Sequence, residues 1–64
     1  MTLKKIKSGE YLYERGEISK RIRKTLYGQW NIESAEWVGA PPFAVGFRTK
    51  ADAVRWLDDN IDCL

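Results

Sequence analysis

The segment that most constrains the fold is TKADAVRWLDDNI, residues 49–61, where apolar residues recur at helical spacing. Ala53, Val54, Leu57 and Ile61 form one stripe, with Trp56 at its edge. Thr49 stands at the N-cap position. Asp52, three residues on, takes the place of a capping-box acid and suits the positive end of the helix dipole. Asp58, Asp59 and Asp62 oppose the dipole at the other end, so fraying is expected there. A helix with one apolar stripe has to bury it against another layer, and residues 1–48 have to supply that layer.

Those residues predict short strands and turns. MTLKKIKS, residues 1–8, reads as a basic, flexible lead-in. Residues 9–35 read as strands. YLYE-RG-EISK predicts a hairpin turning on Arg15-Gly16. KRIRKT-LYG-QWNIES predicts a second, with Leu26-Tyr27-Gly28 as a three-residue loop and Gly28 in the left-handed position. That loop sets Lys24 opposite Trp30, Arg23 opposite Asn31, Ile22 opposite Ile32, and Arg21 opposite Glu33. EISKRIRKTLYG also fits an amphipathic helix, with Ile18, Ile22 and Leu26 on one stripe and Gly28 as its stop. The β-branched residues and aromatic flanks favour strand. Residues 36–46 hold a loop, Gly39-Ala40-Pro41-Pro42, and the start of a short strand, FAVGF. There Phe43, Val45 and Phe47 are expected to share one side.

Alternation along the strands sorts the side chains into two faces. Tyr11, Tyr13, Ile18, Ile22, Trp30 and Ile32 fall on one, with Lys20 and Lys24 snorkelling from its margin. Leu12, Ser19, Arg21, Arg23, Asn31 and Glu33 fall on the other. The expected fold is α+β: a three- to four-stranded antiparallel meander, with one C-terminal helix packed on one face and the other face open. At 64 residues the chain is one domain. Its three Trp, three Tyr and two Phe are ample core material and argue against disorder.

Composition removes several kinds of chemistry. With no histidine, triads and imidazole bases are absent. One cysteine, Cys63, allows no internal disulfide, and with no histidine it leaves no zinc set of the usual ligands. Asp58, Asp59 and Asp62 read as a solvated acidic face without the loop of a calcium site. No glycine pattern matches a phosphate loop. The expectation is no enzyme, no cofactor and no metal. The lone thiol, the absence of a signal-like apolar run and of an apolar stretch of about 20 residues point to a soluble, cytoplasmic protein.

Charge is uneven. Residues 1–28 carry eight Lys/Arg against three Glu, whereas residues 29–64 carry three against six acids. A basic half suggests an anionic partner. Arg15, Ser19, Lys20, Arg21, Arg23, Lys24 and Asn31 are the candidate contacts to double-stranded DNA, since Arg and Asn have bidentate geometry for base edges. Lys4, Lys5 and Lys7 would add phosphate contacts from a flexible arm. On this view, truncating Arg21 and Arg23 weakens DNA binding and leaves the fold intact. The plainer reading pairs Arg21 with Glu33 across the strands and leaves a soluble sheet face. Trp37, Pro41, Pro42 and Phe43 are the candidate contacts to a protein partner, because an aromatic beside a proline loop is a common anchor. An exposed short-stranded sheet also admits an edge-to-edge homodimer.

The run of strands followed by Phe47, Thr49, Lys50, Ala53, Trp56 and Leu57 resembles the small arm-binding domain of tyrosine integrases and the related AP2-like DNA-binding domains. The likeness covers roughly residues 11–59. It implies a three-stranded sheet backed by one helix, with the face opposite the helix entering the major groove. Here that face would present Ser19, Arg21, Arg23, Asn31 and Glu33. The loop at 36–46 is longer than in that pattern, and no catalytic domain follows the helix. The resemblance therefore implies a stand-alone accessory or regulatory protein of a phage or mobile element. The same helix start occurs in short phage and prophage proteins. That makes a small inhibitor of a host enzyme or defence complex the alternative expectation.

Overall fold

The structure, a computed structural model, describes residues 2–37, 39–60 and 62. Five strands run in order: β1 (Thr2–Lys7), β2 (Glu10–Arg15), β3 (Ile18–Lys24), β4 (Trp30–Ser34) and β5 (Ala44–Phe47). They form one antiparallel sheet in sequence order, and a single helix, α1 (Lys50–Asp59), follows. The α+β meander with its C-terminal helix is as expected, with five strands where three or four were expected.

The additional strand is β1, built from the supposed flexible lead-in. It carries Leu3 opposite Tyr13 on the helix side and Lys4 opposite Leu12 on the other. Lys4 Nζ lies 3.5 Å from Glu14. The lysines hide the strand from a hydrophobic-pattern reading, because alternation is nearly absent. On an edge strand those same charges discourage further strand pairing. Gly9, at φ 78°, closes the turn into β2.

The β2–β3 hairpin turns on Gly16-Glu17, with Arg15 opposite Ile18, and not on Arg15-Gly16. Gly16 at φ 59° then takes the first turn position, where a two-residue hairpin accepts glycine. The expected turn would have set Glu14 against Glu17. The observed one sets Glu14 against Ser19. The slip is two residues, so every side chain keeps its face. The β3–β4 register is as expected: Lys24–Trp30, Arg23–Asn31, Ile22–Ile32 and Arg21–Glu33. Residues 18–24 are thus strand, and the helical alternative for this segment is excluded.

β5 departs from simple alternation. Phe47 pairs with Trp30 and Ala44 with Ile32, so one extra residue bulges out of the ladder. Gly46 takes φ 84° there. As a result Ala44 and Phe47 face the core, while Phe43 and Val45 are exposed.

Thr49 caps α1, its Oγ1 accepting from the Asp52 N–H at 3.1 Å. At the other end the Asn60 N–H donates to Trp56 and Leu57 carbonyls, and its side chain donates to the Trp56 carbonyl at 2.8 Å. Ile61, expected on the stripe, and Cys63 lie outside the described residues. The helix packs on β3, β4 and β5. Tyr13, Ile22, Ile32, Ala53 and Leu57 are fully buried between the layers. Phe47 stacks obliquely on Trp56, with 6.1 Å between ring centres. Lys50 Nζ sits 4.0 Å over the Tyr11 ring, fastening the helix start to the sheet.

The acidic end of α1 is partly structural. Tyr13 donates its hydroxyl proton to Asp58 Oδ1 at 2.6 Å, and Arg15 Nη1 lies 3.5 Å from the same oxygen. Asp58 therefore ties the helix to β2 and is no mere member of a solvated acidic face. Burial, and then the Asp58 hydrogen bond, raise the Tyr13 pKa above its ordinary 10.0. The folded state thus favours the protonated phenol. Its stabilising share is complete below the unfolded pKa and is lost as pH rises through the folded one. Denaturant melts from about pH 9 to about pH 12 should show stability falling at the alkaline end, and Tyr13→Phe should flatten that fall. Parallel falls in both proteins would remove Tyr13 as the coupled group.

Candidate interaction site

The sheet face away from α1 alternates acids and bases. Glu10, Leu12 and Glu14 of β2 lie beside Ser19, Arg21 and Arg23 of β3, and these lie beside Asn31 and Glu33 of β4. Packing at strand spacing brings the opposite charges into contact. Arg21 Nη1 is 3.3 Å from Glu10 Oε1, and Arg21 Nη2 is 3.3 Å from Glu33 Oε1. Arg23 Nη2 holds the other Glu33 oxygen at 2.7 Å. Lys7 Nζ lies 3.4 Å from Glu10 Oε2. Glu10 and Glu33 are buried by this arrangement. Arg21 is largely buried too, and its Nε has no partner among the described residues.

The face is therefore not open in the sense expected from sequence. Its centre is a closed ladder of ion pairs, with all four carboxylate oxygens of Glu10 and Glu33 engaged. Above it lies a cleft of about 820 Å³ between the β1–β2 turn and the Gly39–Pro42 loop. A second groove of about 560 Å³ runs to the β3–β4 hairpin tip, lined by Leu26, Tyr27 and Val45. The two share Arg23, Lys24 and Asn31.

The structure sorts the residues expected at a DNA face. Arg21, Arg23, Lys24 and Asn31 all border the main cleft, but Arg21 is taken by two carboxylates. Arg23 is half exposed and touches one carboxylate, while Lys24 has no carboxylate within 4 Å among the described residues. Asn31 Oδ1 accepts from the Gly46 N–H at 3.4 Å. Arg15 is on the helix side with Asp58, and Lys20 Nζ is 4.2 Å over the Phe43 ring, so neither joins the cleft. Ser19 is half-buried at the far end of β3, opposite Glu14.

Of the residues expected at a protein contact, Pro41 and Pro42 line the cleft, whereas Trp37 and Phe43 stand outside it. Ser34 Oγ accepts from the Glu36 and Trp37 N–H groups at 3.3 and 3.0 Å, which fixes the start of the loop. Trp37 is 69% exposed. Sequence reasoning missed Leu26, Tyr27, Val45 and Glu10, and placed Lys7 on a flexible arm rather than at the cleft. The first two carried a signal: two large apolar residues inside a hairpin turn face water unless something covers them. Leu26 and Tyr27 are fully or almost fully exposed.

Among the described residues no group of three or more His, Cys, Asp or Glu side chains is placed to hold a metal ion. Among those residues, no helix is long and apolar enough to cross a membrane. Fold and site together define a small α+β meander domain with a donor-rich cleft on the sheet face opposite its helix. The chain matches no family model, no curated protein and no solved structure.

Proposed function

We propose that this chain is a recognition module, without chemistry of its own, that binds a protein partner through the side formed by the hairpin tip, β5 and the proline loop. One observation carries the reading: Leu26, Tyr27 and Val45 are exposed and line one groove, and Trp37 and Phe43 are exposed at the two ends of the proline loop. Isolated surface apolar residues need no explanation, but three large ones lining one groove, with two exposed aromatics beside the adjoining loop, are the pattern of an interaction surface. Aromatic anchors beside a preformed loop suit protein recognition. The resemblance to phage and mobile-element proteins directs the first search for a partner to host enzymes and defence complexes.

A second reading, duplex DNA on the same face, draws support from half-exposed Arg23 and from Lys24, which meets no carboxylate among the described residues. It is weakened by the ion-pair ladder, because Glu10 and Glu33 cancel charge where phosphates would lie. A photo-crosslinking residue placed at Tyr27 should trap one defined protein, and the same residue at Thr2 on the opposite edge should not. Labelled duplex DNA should show no steeply salt-dependent binding. Salt-sensitive DNA binding, lost in Lys24→Ala, with no site-dependent crosslink, would decide for DNA.

A further inference from the structure

We infer that the two adjoining grooves form one seat for an extended acidic peptide segment of the partner, with a carboxylate at Arg23, Lys24 on the rim, and apolar residues against Leu26, Tyr27 and Val45. The inference rests on the protein-binding reading and specifies its ligand.

Charge complementarity carries it. The main cleft is bordered by four cations, Lys7, Arg21, Arg23 and Lys24, and two carboxylates, Glu10 and Glu33, which leaves two positive charges in excess. Both carboxylates are already paired: each oxygen meets Lys7, Arg21 or Arg23. The charge left over along the cleft is therefore positive. Arg23 keeps free N–H groups on a half-exposed guanidinium. Lys24 borders both grooves from the end of β3, its side chain starting on the face of Trp30, and its charge meets no carboxylate within 4 Å among the described residues. With Asn31 Oδ1 accepting from Gly46, the Asn31 amide still offers its NH₂. Such a junction takes an anionic oxygen and rejects a cation.

The flanks decide what carries that oxygen. Towards the hairpin the groove wall is Leu26, Tyr27 and Val45; towards the loop it is Pro41 and Pro42. A duplex places charge continuously, one per about 1.7 Å of axis, and gains nothing from a leucine on its backbone. A peptide places one carboxylate and then changes to apolar side chains within a residue. The rigid prolines supply a wall that loses little entropy on binding.

The test is selection of a displayed library of random 12-residue peptides against the folded domain, with labelled duplex DNA titrated in parallel. Enriched peptides should carry Asp or Glu flanked by apolar residues. Their Kd should rise about tenfold with Lys24→Glu, the scale of one lost charge pair in a recognition groove. It should also rise with Leu26→Ser, which alters a side chain wholly in water. Thermal melts of both variants establish that they remain folded, and Arg23 is left untouched because it supports Glu33. Enriched peptides without acids, bound equally by Lys24→Glu, would overturn the acidic-segment inference and leave the protein-binding reading standing. No enrichment, with or without salt-dependent DNA binding, would overturn the inference, and with DNA binding the reading beneath it as well.

Discussion

Leu57→Ala should unfold this domain at or near room temperature. Leu57 is fully buried, on the helix face that meets Ile22, Ile32 and Tyr13 of the sheet. Truncating such a residue costs about 2–5 kcal/mol, the lost transfer energy plus the cavity left behind. A domain of 64 residues has roughly 3–10 kcal/mol in total. The loss therefore consumes most of the margin, and no disulfide within the chain offsets it. Urea denaturation followed by tryptophan fluorescence is the measurement. Leu26→Ala is the internal control: its side chain lies wholly in water, so the change should stay within about 0.5 kcal/mol. Equal midpoints for the two variants would remove the helix-on-sheet core.

Arg21→Met should cost about 3 kcal/mol, more than the loss of any other charge on the sheet. Among the described residues, Arg21 alone touches both buried acids. Without it, Glu10 keeps an exposed lysine and Glu33 keeps Arg23. Removing one member of a buried ion pair costs about 3–5 kcal/mol, because the survivor stays desolvated without its countercharge. The lower end applies here because those two cations remain. The diagnostic is rescue: adding Glu10→Gln and Glu33→Gln to Arg21→Met should restore much of the lost stability, since neutral side chains no longer need the guanidinium. Strong non-additivity in that cycle is the expected result. Full stability in Arg21→Met alone would show that the ladder is ornamental. The expectation that Arg21 and Arg23 can be truncated together with the fold intact is thereby replaced: Arg21 is a structural pin, and Arg23 with Lys24 is what the surface has left to offer a ligand.

The candidate site is half legible in the sequence. The β3–β4 register follows from one loop, Leu26-Tyr27-Gly28, and that loop alone puts Arg21 opposite Glu33. It leaves open which charges remain free once the acids are placed. Glu10 lies one strand further over and reaches Arg21 only diagonally, so its part depends on the β2–β3 register. A turn on Arg15-Gly16, which the local residues suggest, displaces that register by two residues from the one the sheet adopts. β1 is hidden for a related reason: a lysine-rich edge strand needs only one inward side chain, Leu3, and shows no apolar period.

Sequence alone determined the helix, its Thr49 cap and the division of side chains between two faces; for residues 18–24 it favoured strand over helix, and the structure decided for strand. The first three depend on local signals: a capping residue, a glycine able to adopt positive φ, and a two-residue alternation that survives an even slip in register. Only the tertiary structure decided the fifth strand, the Tyr13–Asp58–Arg15 tie and the placement of the proline loop beside the acid–base ladder. It also decided which cations are spent on the protein's own carboxylates. Those outcomes depend on distances between segments far apart in the chain. A charge is free or neutralised according to the few ångströms around it, and no count along the sequence contains that distance.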